Sequence, residues 1–500
     1  MLNYIYQQNK YKKLVDEIVK IEGTAKSTSF CVGIDNATDN ALLFLLAKLF
    51  KETDKTLVYV LPTIYDATKN YERLMNILSP DEVCFFPGEE PIASVLVASS
   101  NTYRLARMAT IEAILEQSPR IIVTNTEGIT RNLMSKERLL SALLHFKKNE
   151  TVPRDELIED LITRGYKKTA ITESPGTFSV RGSVIDIYGV NLAEPVRLSF
   201  FDDEIESIRY FSVETQKSTR STDKVTIYPL YEMYYKPDEL DKIIARVLEK
   251  NPLNEKITQD IESLKAFQNL DQLYIYLPYI DQNYERFLDA IDQKIVVYND
   301  FSRILDKEQL NILETSDYFT KVDFVGDEKF YESVKDTIPL TGQVMFVSSH
   351  SVYIEGISLH KKWDLKTTNN YDYNNNLKHL IEDIRLNKGK TYIITSLNER
   401  RQEALADLLF TNGIPFKVID RMTDFREKTV NLTVNEQAYG FIDYELNIEI
   451  ITPNEMAKGT IPPSKKMQAI YKETVKIYSK EDILIGDYVV HPDYGIGKYQ

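Results

Sequence analysis

Roughly the first 145 residues set four short apolar runs, at 29–33, 57–61, 83–86 and 121–124, between helical stretches at 41–50, 67–78 and 103–117. This alternation limits the fold more than any other feature. The runs do not alternate polar with apolar residues, so both faces of each are buried, as in a parallel sheet covered by helices. In the last helical stretch Leu105, Met108, Ile111, Ile114 and Leu115 share one face. At 148–230 the pattern changes. A short helix at 154–164 ends on Gly165, and strand-like runs follow at 179–188, 196–201, 205–211 and 224–228. Asp202, Asp203 and Glu204 between two apolar runs read as a hairpin turn. This is a small antiparallel α+β module inserted into, or appended to, the first domain.

Residues 231–365 return to mixed α/β character, with strands expected at 273–279 and 295–298 and helices at 238–248 and 257–267. A third α/β unit at 368–456 reads as helix 376–386, strand 391–395, helix 398–409 closed by Gly413, and strands at 416–419, 430–434 and 448–451. The Lys-rich stretch 457–483, with Pro462 and Pro463, reads as a linker. Residues 484–500 begin a strand and a Gly-rich turn, and the expectation is a domain cut before its strand finds a partner. The expected class is therefore multidomain α/β: a parallel-sheet, helicase-like domain, an inserted antiparallel α+β module, and a small third α/β domain.

Composition removes several functions. The net charge of −14 argues against a broad sequence-independent DNA footprint. The five histidines are scattered, so no metal site is expected. Cys31 and Cys84 lie in apolar runs and read as reduced core residues of a cytosolic protein. No apolar run approaches the roughly 20 residues needed to span a bilayer, and the polar, basic start is not a secretory signal.

A phosphate-binding loop after the first strand requires GxxxxGK[ST]. Aligning Gly33 with its first glycine places Thr38 on the second glycine, Asp39 on the lysine and Asn40 on the Ser/Thr. A carboxylate stands where phosphate needs a cation, and Asp35 adds another, so an ordinary strand–loop–helix connection is expected and no cofactor. The segment 295–300 is the nearest counterpart of a magnesium-binding strand, with Asn299 in place of the metal-binding Asp. No GxSxG, HExxH or CxxC occurs.

Two blocks carry a family resemblance. SPGTFSVRGSVIDIY (174–188) and VRLSFFDDEIESIRYF (196–211), running on to VETQ (213–216), resemble UvrB and the transcription-repair coupling factors. FFPGEEP (85–91), YRL (103–105) and IIVTNT (121–126) fit the first domain of both. Asp39 at the lysine position and GDYVVHPDYGIGKY (486–499) favour the coupling factors over UvrB. The resemblance implies a UvrB-like first domain in two parts (1–147 and 231–365), a UvrA-binding module (148–230), a third domain (368–456), a linker (457–483) and the start of an RNA-polymerase-binding domain (484–500). It implies UvrA and the RNA polymerase β subunit as partners. ATP, magnesium and DNA would be handled by motor domains of the intact protein, not by this stretch. For UvrA contact it points to Arg181, to Lys167 and to Ile185. The competing readings are a UvrB-like nucleotide-binding protein, which nucleotide titration separates, and a DNA-binding module, which salt-dependent DNA binding would reveal.

Overall fold

Burial on both faces turns the early apolar runs into neighbouring strands. The computed structural model describes residues 9–22, 29–90, 101–321, 332–373, 376–419, 425–434, 439–456, 488–491 and 495–498. In chain order the strands are β1 (Ser29–Asp35), β2 (Thr56–Leu61), β3 (Val83–Phe86), β4 (Ile121–Asn125), β5 (Asn132–Leu133) and β6 (Leu144–Lys147). Then come β7 (Lys167–Lys168), β8 (Thr177–Arg181), β9 (Val184–Tyr188), β10 (Val196–Phe201), β11 (Glu204–Phe211), β12 (Ser218–Thr222) and β13 (Lys224–Ile227). The chain returns through β14 (Glu285–Arg286), β15 (Lys294–Asn299), β16 (Gly342–Val347) and β17 (Lys361–Asp364).

The main sheet has the order β17-β1-β16-β15-β2-β4-β3. Every neighbouring pair in it is parallel, which calls for crossover connections; helices supply most of them, while β16 reaches β17 through an irregular segment. Its strands come from both sides of the module in sequence. The module leaves through β6 and comes back through β13, and these two pair antiparallel as a stem. Its own sheet runs β12-β11-β10-β9-β8-β7. One apolar core continues from Val58, Val60 and Phe86 of the main sheet into Phe178, Ile185 and Leu198 of the module.

Three expectations change. The run at 179–188 is not one strand: it folds back at Gly182, whose φ of +60° suits a residue without a Cβ. The run at 273–279 is not a strand but a 3-10 turn, Tyr274–Tyr276, followed by a helical turn, Leu277–Ile280. A short apolar segment buried on all sides has no period to separate the two, and Pro278 fits the first helical turn. The segment 224–228 supplies β13, which pairs with the stem and lies outside the module's sheet.

Third in order is a mixed sheet. It contains β18 (Thr367–Thr368), β19 (Thr391–Ser396), β20 (Phe416–Val418), β21 (Val430–Val434), β22 (Phe441–Asp443) and β23 (Ile448–Ile451), ordered β18-β22-β23-β19-β21-β20. Helices Leu377–Leu386 and Glu399–Thr411 cover it around a separate core that includes Leu380, Leu409, Tyr392 and Ile451. Contacts within the chain divide it into residues 1–461 and 462–500. In the second unit β24 (Tyr488–His491) pairs antiparallel with β25 (Gly495–Lys498), so the strand expected to lack a partner has one in the next segment. The linker expected at 457–483 lies outside the described residues.

A buried ion triad fixes the point where the chain returns from the module. The Arg107 Nε–H and the Arg131 Nε–H donate to the two carboxylate oxygens of Glu232, the latter at 2.9 Å. Arg107 also donates to Pro87 O at 3.1 Å, and the Arg131 guanidinium lies 3.5 Å from the Tyr274 ring centre. Burial alone would raise the Glu232 carboxyl, but the two guanidinium charges outweigh it and hold the group below its ordinary 4.5. Its contribution to stability is therefore complete above that ordinary value and is lost as pH falls through the lowered one. Replacing Glu232 by Gln takes its charge from two buried guanidiniums, of which Arg107 keeps Glu89 at 3.4 Å. Urea unfolding should show a loss of about 3–5 kcal/mol at neutral pH, shrinking on acidification.

Candidate functional site

The connection after β1 is closed by the protein itself. Gly33 and Asp35 belong to β1, which runs two residues beyond the expected end at Gly33. A Cβ on Gly33 would sit 2.9 Å from Leu359 Cδ1, so glycine here serves close packing. The amides that would face a phosphate are already donated: Asn36 N–H to His350 O (3.3 Å), Ala37 N–H to Ser348 O (3.1 Å), and Thr38 N–H to Thr367 Oγ1 (3.0 Å). The Asp35 carboxylate accepts from Val352 N–H at 2.8 Å and lies 3.4 Å from Lys362 Nζ.

Thr38 caps helix Asp39–Glu52, its hydroxyl accepting from Ala41 N–H at 3.4 Å. Asp39, the first helical residue, lies 3.6 Å from the Arg73 guanidinium and accepts from Asn299 Nδ2 at 3.3 Å. Asn299 also donates to the Tyr59 hydroxyl at 2.8 Å. Asn40 is buried and donates to Gly440 O at 2.8 Å. Thr38 and Asn40 thus meet the third sheet, through Thr367 and Gly440, which no local sequence signal announced, while Gly33 and Asp39 pack within the first domain. Around this contact Arg73 lies over the Tyr439 ring (4.0 Å), Phe44 packs at a tilt against Phe441 (ring centres 5.8 Å apart), and Asp443 accepts from Lys10 Nζ (2.9 Å) and Tyr11 OH (3.0 Å). A Cβ at Gly440 would collide with Ile450 O, so glycine lets this segment lie close against β23 within the third unit.

In the module the period of two sorts the sheet into a core face and a polar face. Phe178, Ile185, Ile187, Leu198 and Ile208 point inward and are buried. Ser179, Arg181, Asp186 and Arg197 lie on the other face. Ile185 is 0% exposed, which removes it from the expected contact set: a side chain wholly in the core offers a partner no surface. Arg181 ends β8 with its side chain 47% exposed, and its NH2 donates to Asp186 Oδ2 at 2.5 Å. Asp186 is 0% exposed and also receives both ends of the Arg197 fork, at 2.7 and 2.8 Å. Arg197 in turn lies 4.6 Å from the Phe211 ring centre.

Lys167 is exposed on the edge strand β7, opposite Thr177. That is four residues along β8 from Arg181, about 13 Å at strand rise, so the two cations mark opposite ends of one strand. Two further residues join Arg181 at its end. Arg154 NH1 donates to Gly182 O at 3.1 Å, and Phe201, 77% exposed, adjoins Phe200, whose N–H donates to Ser183 O at 2.8 Å. Phe201 was legible as the outward member of a Phe-Phe pair beside a turn; Arg154 was not, because its neighbour is set by the fold.

Among the described residues no helix is long and apolar enough to cross a membrane, and no group of three or more His, Cys, Asp and Glu could hold a metal ion. The fold and site define a class: a parallel α/β sheet carrying an inserted module that matches the UvrB interaction domain over residues 144–233, followed by a match to the Mfd D3 domain over 387–456. Longer relatives extend the likeness along the chain. The chain is 25% identical over 476 residues to the transcription-repair-coupling factor of Bacillus subtilis, covering 90% of this chain and 40% of that protein. It is 24% identical over 524 residues to that of Staphylococcus epidermidis, covering 99% and 43%. It matches the N-terminal region of the transcription-repair-coupling-factor family. It spans about two fifths of the length of the curated relatives it matches.

Replacing Thr367 by Val deletes the acceptor of the buried Thr38 amide. Denaturant titration should show a loss of about 1–3 kcal/mol; an unchanged midpoint would mean that the closed loop contributes nothing to stability.

Proposed function

We propose that this chain is a docking platform of the transcription-coupled repair machinery, and that the polar face of its module receives UvrA. The observation that carries this reading is Arg181. It is half-exposed, held over the buried Asp186, and lies within the stretch that matches the UvrB interaction domain. A guanidinium fixed by a buried carboxylate loses little freedom on binding and presents its remaining donors in a set direction. Arg154 and Phe201 extend the surface with a second cation and an apolar anchor, and Lys167 adds charge at the far end of β8. In the intact protein we assign RNA polymerase binding to the domain that begins near β24, and ATP-driven movement along DNA to motor domains outside this stretch.

We read the Gly33–Asn40 connection as a helicase-type phosphate loop that no longer serves a nucleotide. Asp39 and Asn299 stand within 3.3 Å of each other, as the corresponding lysine loop and metal-binding strand would, yet neither has the chemistry and the loop amides are engaged.

Two experiments test these readings. In calorimetric titration Arg181→Ala should weaken UvrA binding by more than about 1 kcal/mol with little change in melting, because Arg197 still pairs with Asp186. Equal affinity of the variant would reject the assignment. Restoring the missing lysine with Asp39→Lys should not create saturable binding of a fluorescent ATP analogue; micromolar saturation by the variant or the parent would support the nucleotide-binding alternative.

A further inference from the structure

A cleft of about 630 Å³ separates the helix Asn101–Leu115 from the β6–β13 stem of the module. Glu112 and Glu116, one helical turn apart, line one side; His145, Lys147 and Lys224 come from the stem. Neither carboxylate forms an ion pair among the described residues, and the only hydrogen bond to Glu112 is a long one from Asn191 Nδ2, at 3.5 Å. Burial, and then the charge of Glu116, push the Glu112 carboxyl up to about 7. Tyr228, only 6% exposed, also lines the cleft. Its phenol is raised first by burial and then by Glu112 and Glu116, which places it near both carboxylates. Its hydroxyl has no hydrogen-bond partner among the described residues. Glu112, half-buried and without a counter-charge, sits near a phenol hydroxyl that opens to the cleft, and a cation brought there would offset the cost of its desolvation. The lysines at the stem supply positive charge for the other end of the same occupant.

We propose that this cleft binds an arginine group, its guanidinium between Glu112 and Glu116 and its carboxylate at Lys147 and Lys224. A planar guanidinium can donate to two carboxylates one turn apart and still lie against the Tyr228 or Tyr210 ring, which a single ammonium cannot do equally well. Free arginine and a chain-terminal arginine of a partner share this chemistry. Bound arginine would join the stem of the module to the helix of the first domain, at a place separate from the Arg181 surface.

The test is calorimetric titration of the whole chain with L-arginine, with agmatine, which lacks the carboxylate, and with a short peptide ending in arginine. L-arginine should bind saturably, and about tenfold more tightly at pH 8 than at pH 6, because Glu112 must lose its proton near 7 to meet the cation. The titratable groups that face Glu112 around the cleft are Glu116, His145, Lys147, Lys224, Tyr210 and Tyr228. Glu112→Gln should weaken arginine binding about tenfold or more and flatten its pH dependence. Lys224→Ala, on the exposed stem, should weaken arginine but spare agmatine. Tighter binding of the peptide than of free arginine would assign the group to a partner's terminus, and the reverse to a small molecule. Absence of saturation at high millimolar arginine, or equal binding by Glu112→Gln, would overturn the proposal.

Discussion

Three consecutive backbone amides at the end of β1 cannot be buried without acceptors, and most of the arrangement around the first domain follows from how they are met. A nucleotide-binding loop leaves such amides open for phosphate. Here Asn36, Ala37 and Thr38 donate to His350, Ser348 and Thr367, and the third unit then packs over the same loop through Asn40 and Gly440. Closure and docking are one event: Thr367 opens β18 and receives the Thr38 amide. The buried Lys10–Asp443 pair and the Arg73–Tyr439 contact complete a joint made from segments hundreds of residues apart.

The module is held differently. Its apolar face merges with the first-domain core, and the Arg107–Glu232–Arg131 triad anchors the returning chain. Buried charge of this kind tolerates little displacement, because a guanidinium that loses its carboxylate stays desolvated. The same logic appears on the polar face, where Asp186 is wholly buried beneath Arg181 and Arg197. One arginine is held from both ends and stacked on Phe211. The other, at the strand terminus, keeps part of its fork in solvent. The face is therefore rigid where it is built and open where a partner would meet it, and the cleft at the stem lies away from it.

Much of this organisation was legible in the sequence. Non-alternating apolar runs between helical stretches gave the parallel sheet, and the Asp202–Glu204 turn gave the β10–β11 hairpin, because both signals are local. The missing lysine at Asp39 was equally plain. The strand expected at 273–279 failed because full burial erases periodicity, and the single run expected at 179–188 failed because Gly182 bends it. The proposed contact surface was legible only in part. Arg181 emerged from a motif, while Ile185 in that same motif faces the core and Arg154 and Phe201 come together only through strand pairing.

Taken alone, then, the sequence determined the α/β class, an aspartate at the start of the helix after β1 and the change to antiparallel strands in the module, all properties of neighbouring residues. Tertiary structure decided what fills the empty loop, which module side chains reach solvent, and that Glu112, Glu116, Lys224 and Tyr228 border one cleft. Those outcomes depend on acceptors, counter-charges and packing partners far away along the chain. Only the folded arrangement shows whether a buried polar group has been satisfied or left waiting.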